Sequence, residues 1–208
     1  MTEQDFAEPL DTSRSVWQGK RVRLRAVEPA DWTVYFAWNQ DDEQARALDS
    51  VPLPRSAADM RRWMEERAAR PPSEESDDFR FAIEDETGRM IGGLHIHHTN
   101  RQSGTLAYGI NILRGYRRRG YAAEAIALAL RYYFAERRYQ KVTSGVFDFN
   151  TASIKLHEGL GFQLEGRLRR MTFSHGQFFD LLVYGLTAEE FFASRRFAEL
   201  LPEWPNGE

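Results

Sequence analysis

The sequence predicts a mixed α/β (α+β) domain, a twisted and mostly antiparallel sheet of about seven strands flanked by helices. Three observations predict it. Strand-like segments follow one another across short turns between residues 79 and 112, the pattern of an antiparallel meander. A strand, a helix with one apolar face and another strand then run from 105 to 149, which calls for a parallel crossover. Two further alternating segments, 162–173 and 178–185, flank Ser174-His175-Gly176 as a hairpin.

From Arg21 to Val27 the apolar residues Val22, Leu24 and Ala26 alternate with arginines, as in a half-buried strand. Residues 1–17 lack periodicity and read as a flexible arm, leaving 18–208 as one domain. Pro29 and Asp31 open a helix bearing Trp32, Tyr35, Phe36 and Trp38, and Ser56 caps a second helix through Met60, Trp63 and Met64. The span Asn39–Arg55 between them reads as a loop. Pro71-Pro72-Ser73 with Glu74, Glu75, Asp77 and Asp78 reads as a solvated connection. Strands follow at Phe79–Asp85, Met90–His98 and Thr105–Ile112. A helix from about Tyr121 buries Ala122, Ala125, Ile126, Ala129, Leu130 and Tyr133 on one face, and Val142–Phe149 is the next strand. A short helix from about Asn150 to Glu158 stops at Gly159 and Gly161. After the hairpin, Thr187 and Glu190 form a capping box for one last amphipathic helix through Phe191, Phe192 and Phe197.

A chain of 208 residues suits one domain with a substantial core. The 28 basic and 31 acidic residues leave a net charge of -3, which excludes a polybasic nucleic-acid binder. Cysteine is absent, so disulfides, thiolate metal sites and cysteine nucleophiles are impossible. The aliphatic run Ala125–Leu130 is closed by Glu124 and Arg131, and Glu3, Asp5 and Glu8 stand where a secretory signal would be basic. A soluble cytoplasmic chain with no membrane partner is expected. No metal is expected either, since His95-x-His97 has no third ligand.

The most informative segment runs from Ile110 through Arg117, Arg118, Arg119 and Gly120 to Ala122: a strand, a turn rich in arginine and glycine, then a helix. Such a turn presents backbone N–H groups with the positive end of a helix dipole behind them, a cradle for a pyrophosphate. The bland alternative is a solvated basic turn. The spacing matches neither a P-loop nor a G-x-G-x-x-G fingerprint.

Arg117-x-x-Gly120-x-Ala122 behind the Ile110/Ile112 strand resembles the acyl-CoA pyrophosphate motif of the GCN5-related N-acetyltransferases (GNAT). Asn150-x-x-Ser153-Ile154-x-Leu156-x-Glu158-x-x-Gly161-Phe162 is similar to the family's next segment. The resemblance covers Arg21 to Leu186. Glu165–Arg169 with Asp180–Leu186 is similar to the ribosomal-protein alanine acetyltransferase branch, which also includes spermidine acetyltransferases. It implies a V-shaped splay between the fourth and fifth strands that holds the pantetheine arm of acetyl-CoA. Arg117, Arg118, Arg119, Gly120, Tyr121 and Ala122 would surround the pyrophosphate. The backbone of Ile110 and Ile112 would bond the arm, with Asn150 and Ser153 on the far wall. Asn150 reads equally well as a helix N-cap.

His157 occupies the slot where many relatives carry a tyrosine that protonates the departing thiolate, so the resemblance implies a catalytic acid there. A plain helix-face residue is the equal alternative. At Ala107 the chain departs from relatives that place a glutamate base on the fourth strand. His95 and His97 on one face of the third strand, His98 on the other, and Asp148 are the remaining candidates for a base.

The acceptor pocket is expected between the loop after the first helix and the final hairpin. Trp32, Trp38, Asn39, Asp41, Asp42 and Glu43 at one end, with Phe173, His175 and Phe178 at the other, would form an aromatic and acidic rim for a cationic amine, and His97 is a further substrate-binding candidate. Core packing or a solvated loop is the alternative for each, and the preferred one for the tryptophans. The function implied is acetyl transfer from acetyl-CoA to a primary amine, a protein amino terminus or a small amine, by direct attack in a ternary complex. An aminoglycoside acceptor stays open. So does a regulatory module that binds acyl-CoA without turnover, because of Ala107. An RNA-binding module is disfavoured by the charge balance. The Gln177-Phe178-Phe179 end of the hairpin could equally serve a homodimer interface.

Overall fold

The computed structural model describes residues 15–48 and 51–204, so the first fourteen residues of the expected arm lie outside the described part. The chain forms β1 (Val22–Ala26), α1 (Trp32–Trp38), α2 (Asp42–Leu48), α3 (Ala57–Ala68), β2 (Phe79–Asp85), β3 (Met90–Asn100) and β4 (Thr105–Ile112). It continues through α4 (Tyr121–Ala135), β5 (Lys141–Phe147), α5 (Thr151–Gly159), β6 (Gln163–Ser174), β7 (Gln177–Thr187), α6 (Ala188–Ala193) and α7 (Arg195–Leu200). The seven strands make one mixed sheet in the order β1-β2-β3-β4-β5-β7-β6. Every neighbouring pair is antiparallel except β4–β5, which the α4 crossover makes parallel.

Strand alternation sorts side chains onto two faces. Val22, Leu24, Phe81, Ile83 and Leu106 join the α4 residues Ala125, Ile126, Ala129 and Leu130 in one buried cluster. On the opposite face Ala82 and Met90 pack with Tyr35 of α1 and Met60 and Met64 of α3. Ser56 caps α3 by accepting from the Asp59 N–H, and the Thr187–Glu190 capping box starts α6.

Five local expectations change. The span Asn39–Arg55 contains a helix, α2, held to distant elements by side-chain bonds described below. The last helix is two, because extended backbone at Ser194 (φ -80, ψ 115) breaks it. Six residues apart on one helix, Phe191 and Phe197 would point to different faces; the break lets both turn inward, with ring centroids 4.4 Å apart. Trp17, assigned on pattern to the arm, packs on Phe81 and Tyr132 at 4.9 and 4.4 Å. Asp77 is not solvated: it binds Arg101, Arg137 and the Tyr139 hydroxyl, and the arginines hold its carboxyl well below the usual range. Finally, a register break after His97 and positive φ at His98 set the His98 ring edge-on to His97 at 4.6 Å, rather than across the strand.

Glu124 of α4 is 1% exposed and accepts from the Arg21 N–H (2.8 Å), Arg21 Nε (3.2 Å) and the Val22 N–H (3.4 Å). Arg21 in turn donates through Nη1 to the carbonyl of Arg119 (2.7 Å), tying β1 to the turn before α4. Gly19 makes room, since a Cβ there would lie 2.4 Å from Glu124 Oε1. Among the described residues no helix is long and apolar enough to cross a membrane.

A neutral amide at position 124 can accept through one oxygen only and would set its NH2 against the Arg21 donors. Glu124→Gln should therefore lower stability by about 1–3 kcal/mol, measured by urea denaturation.

Candidate active site

The parallel pairing of β4 and β5 covers only Thr105↔Lys141, Leu106↔Val142 and Ala107↔Thr143. Both strands run on, to Ile112 and Phe147, paired with β3 and β7 but not with each other, so a splay opens between them. Leu113 donates its N–H to Ile91 on β3 (2.9 Å). By strand alternation the main-chain groups of Ile110 and Ile112 then face away from β3, into the splay. The Ile112 carbonyl accepts from Arg117 Nε (3.0 Å).

At the wide end of the splay, Arg118 (φ 61) and Gly120 (φ 84) take the left-handed conformation on either side of Arg119. The turn delivers the chain directly into the fifteen-residue α4, whose N-cap, Gly120, has no side-chain capping bond. The first N–H groups of α4 thus remain available to an anion, backed by the helix dipole. A Cβ at Gly120 would meet Arg21 Nη2 at 2.7 Å. Arg21 also lies over the Tyr121 ring (5.6 Å) and Arg119 over the Tyr116 ring (5.7 Å).

Helix α2 straps this end. Gln44 Oε1 accepts from Arg117 Nη2 (2.8 Å), the Ala47 carbonyl accepts from Asn150 Nδ2 (3.1 Å), and Asp41 and Glu43 bind Arg114. Asn150 is indeed an N-cap, its Oδ1 accepting from the Ser153 N–H (3.1 Å), so both ends of its amide are engaged. The acidic rim is therefore a correction. Arg114 holds the Asp41 carboxyl below its usual range and Glu43 shares that arginine, while Asp42 faces Arg46 at 4.0 Å.

His157 is 1% exposed, stacked between Tyr108 and Tyr184. A carbonyl can only accept, so Nδ1 carries a proton to the Ser153 carbonyl (2.7 Å), with the Ser153 hydroxyl 3.4 Å away. Nε2 then receives the Tyr108 O–H (2.8 Å). Burial lowers the imidazole pKa more than the Ser153 bond raises it, and the ring is neutral at pH 7. Asp148 is paired through Oδ2 with Arg167 (3.0 Å), while its Oδ1 is buried without a hydrogen-bond partner.

A cavity of about 330 Å³ opens on the other face of β4. Its lining includes the expected Trp38 and Asn39, together with Tyr35, Gln44, Trp63, Arg55, Arg80, His95, Gly109 and Asn111. His97 and Phe173 do not line it; Phe173 sits exposed near the hairpin tip against Phe178, ring centroids 5.0 Å apart. Arg80, His95 and Gly109 stand opposite one another across β2, β3 and β4. Gly93 lets the aromatic wall lie close, since a Cβ there would be 3.1 Å from Trp38 Cη2, whereas a Cβ at Gly109 would meet nothing within 4 Å. Arg80 Nη2 lies 3.2 Å from His95 Nδ1. Guanidinium can only donate, so Nδ1 is the acceptor and the neutral ring keeps its proton on Nε2. Burial first, and Arg80 second, push the His95 pKa down to about 4.

Among the described residues no carboxylate lines the cavity, and no group of three or more metal-ligating side chains occurs. Sequence reasoning missed Arg80 and, as a lining residue, His95. The signal that pointed there was glycine inside strands, at Gly93 and Gly109, where a strand interior normally needs a side chain.

The family model described as an acetyltransferase (GNAT) domain matches residues 21–163. The chain is 39% identical over 175 residues to the SPbeta prophage-derived uncharacterized N-acetyltransferase YokL of Bacillus subtilis (strain 168), covering 84% of this chain and 94% of that one. Among solved structures, the spermidine N-acetyltransferase from Vibrio cholerae in complex with CoA and spermine superposes with a TM-score of 0.71 at 21% identity, over 82% of this chain and 98% of the other. A GNAT-family acetyltransferase from Bacillus anthracis gives 0.70 at 20% identity, over 83% and 98%. At these identities the structural likeness speaks to the fold.

Two outcomes follow from this geometry. Gly120→Val forces a β-branched residue into positive φ and against Arg21, and calorimetric CoA affinity should fall more than tenfold, about 1.4 kcal/mol, in a protein with a native circular-dichroism spectrum. Because the folded pKa of His157 is lowered, the stability it contributes is full above the ordinary imidazole value of about 6.5 and is lost as pH falls below it. Denaturation midpoints between about pH 7 and 5 should therefore fall more steeply for the wild type than for His157→Phe.

Proposed function

Because the chain belongs to the GNAT acetyltransferase family, we propose that it transfers an acetyl group from acetyl-CoA to a primary amine by direct attack in a ternary complex. The observation that carries this reading is that one strand, β4, borders both compartments. The main chain of Ile110 and Ile112 faces the splay, and Gly109 and Asn111 line the cavity. In this reading the pantetheine arm lies in the splay, bonded by that main chain, and the pyrophosphate sits on the N–H groups that follow Gly120. Asn150 reaches the arm by exchanging its Ala47 partner.

The amine nitrogen attacks the thioester carbonyl carbon, the C–N bond forms, and the C–S bond breaks. The proton that the nitrogen must lose is the one that the departing thiolate must gain, so acid and base work balances within the complex. The first requirement is a neutral amine. Ala107 offers no carboxylate, and His95 spends its lone pair on Arg80. Arg67 and Arg80, neither paired with a carboxylate among the described residues, leave net positive charge near the cavity, and nearby positive charge lowers an ammonium pKa. We assign His157 a positioning role: neutral, with both nitrogens bonded, it holds α5 to β4 through Tyr108. Whether the acceptor is a protein amino terminus or a small amine is decided by the cavity.

Incubation with acetyl-CoA and a panel of amines, followed by free thiol and by mass of the acetylated amine, tests the reading; CoA binding without thiol release above the hydrolysis background would favour the regulatory module instead. His157→Phe should leave the pH profile of kcat unchanged from about pH 6 to 9, its effect appearing in the KM for acetyl-CoA. A loss in kcat of about 10- to 100-fold at unchanged CoA affinity would restore the acid role.

A further inference from the structure

We propose that the acceptor amine carries an anionic group of its own, a carboxylate or phosphate, which Arg80 binds. This deepens the transferase reading and rests on it, and three independent features of the cavity support it.

The first is uncompensated charge. Arg55 and Arg80 line the cavity, and Arg67, which does not, stacks 3.8 Å from the centroid of the lining Trp63, with Arg55 at 5.5 Å. Only Arg55 has a carboxylate partner among the described residues, Asp59, through Nε at 2.6 Å. Arg80 meets His95 and the Tyr35 hydroxyl region but no acidic group. Burial first, and the neighbouring Arg80 second, lower the Arg67 pKa. Such a cluster costs free energy in the empty protein, and an anion relieves it.

The second is a surplus of donors. Trp38 Nε1, Gln44 Nε2 and Asn111 Nδ2 are buried without a hydrogen-bond partner, and all three residues line the cavity. Gln44 and Asn111 are 2% and 9% exposed. The Gln44 amide is oriented by Arg117, which donates to its oxygen and leaves the NH2 free. His95 adds another donor, its Nε2–H. A buried donor without an acceptor is destabilising, so the ligand that completes this site is rich in acceptor oxygens. A polyamine, all of whose polar groups are cationic donors, completes none of them.

The third is distance. Arg80 faces His95, which faces Gly109, so Arg80 stands two strand spacings from β4, about 10 Å of backbone separation. With the nitrogen at the splay beside Gly109, an arginine side chain spans much of that interval, which puts the anion only a few bonds from the amine. Gly109 keeps the path open, because no atom lies within 4 Å of where its Cβ would be.

The test uses amines matched in size: an α-amino acid against its amide, phosphoethanolamine against ethanolamine, and spermidine. With saturating acetyl-CoA, kcat/KM should favour the anionic member of at least one pair by about tenfold or more, with spermidine poorest. The pair that shows it identifies carboxylate or phosphate. Arg80→Gln should shrink that ratio through KM, while Arg80→Lys should retain most of it; if Arg80→Gln fails to fold, the wild-type ratios and Arg80→Lys decide. Equal ratios in the wild type, or a preference for spermidine, would overturn the proposal while leaving the transferase reading intact. If no amine is acetylated, that reading fails, and the inference is judged by quenching of tryptophan fluorescence in CoA-saturated protein. Tighter binding of the anionic members supports it, and equal or tighter binding of neutral amines or spermidine overturns it.

Discussion

Beyond Ala107 and Thr143 the parallel strands β4 and β5 stop bonding, and main-chain polar groups left inside a sheet are costly unless something else pairs with them. Much of the surrounding structure follows from that gap. Arg117 turns back to bond the Ile112 carbonyl, and α2 lies across the wide end, holding Arg117 through Gln44 and Asn150 through Ala47. The parting strands also set the turn after β4 at the head of α4, so the gap ends at a helix N-terminus with free donors. Behind it, Glu124 and Arg21 lock the turn to β1. A groove shaped like a missing strand, closed at one end by an anion cradle, suits an extended amide chain ending in a pyrophosphate.

Charge is distributed with the same economy. Many carboxylates near the sheet are claimed by an arginine, among them Asp31 and Glu84 by Arg25, Asp77 by Arg101 and Arg137, and Asp41 and Glu43 by Arg114. These pairs pin loops and strap α2, and they withdraw negative charge from the cavity mouth. Arg80, left out of that pairing, gives the cavity its sign.

Much of this was legible in the chain of letters. Period-two alternation in residues 79–112 and the apolar face of 121–135 are local properties, and the strands and α4 lie where those patterns put them, within one to three residues. The capping box at Thr187 and the cap at Ser56 are legible for the same reason, since both partners lie within one turn. The stop of one helix at Ser194 was not, because the cause is the inward packing of Phe191 on Phe197. Helix α2 was hidden in a polar stretch whose support comes from Arg114, Arg117 and Asn150, more than seventy residues away.

By itself, then, the sequence determined the element types and the order of the sheet's strand, helix and hairpin units. It also determined the family, through the Arg117–Ala122 and Asn150–Phe162 segments, and the absence of any protein thiol. Tertiary structure alone decided the sign of the cavity beside β4 and the state of His157. A cavity's charge depends on which side chains from separate strands and helices face it and on which carboxylates other arginines have removed. Aspartates and glutamates counted in the Asp41–Glu43 segment suggested an acidic rim; Arg114 cancels it, and Arg80 with His95, from two adjacent strands, replaces it. His157 is neutral for a similar reason: the Ser153 carbonyl is a local partner, but the Tyr108 hydroxyl and the aromatic walls that desolvate the ring come from β4 and β7.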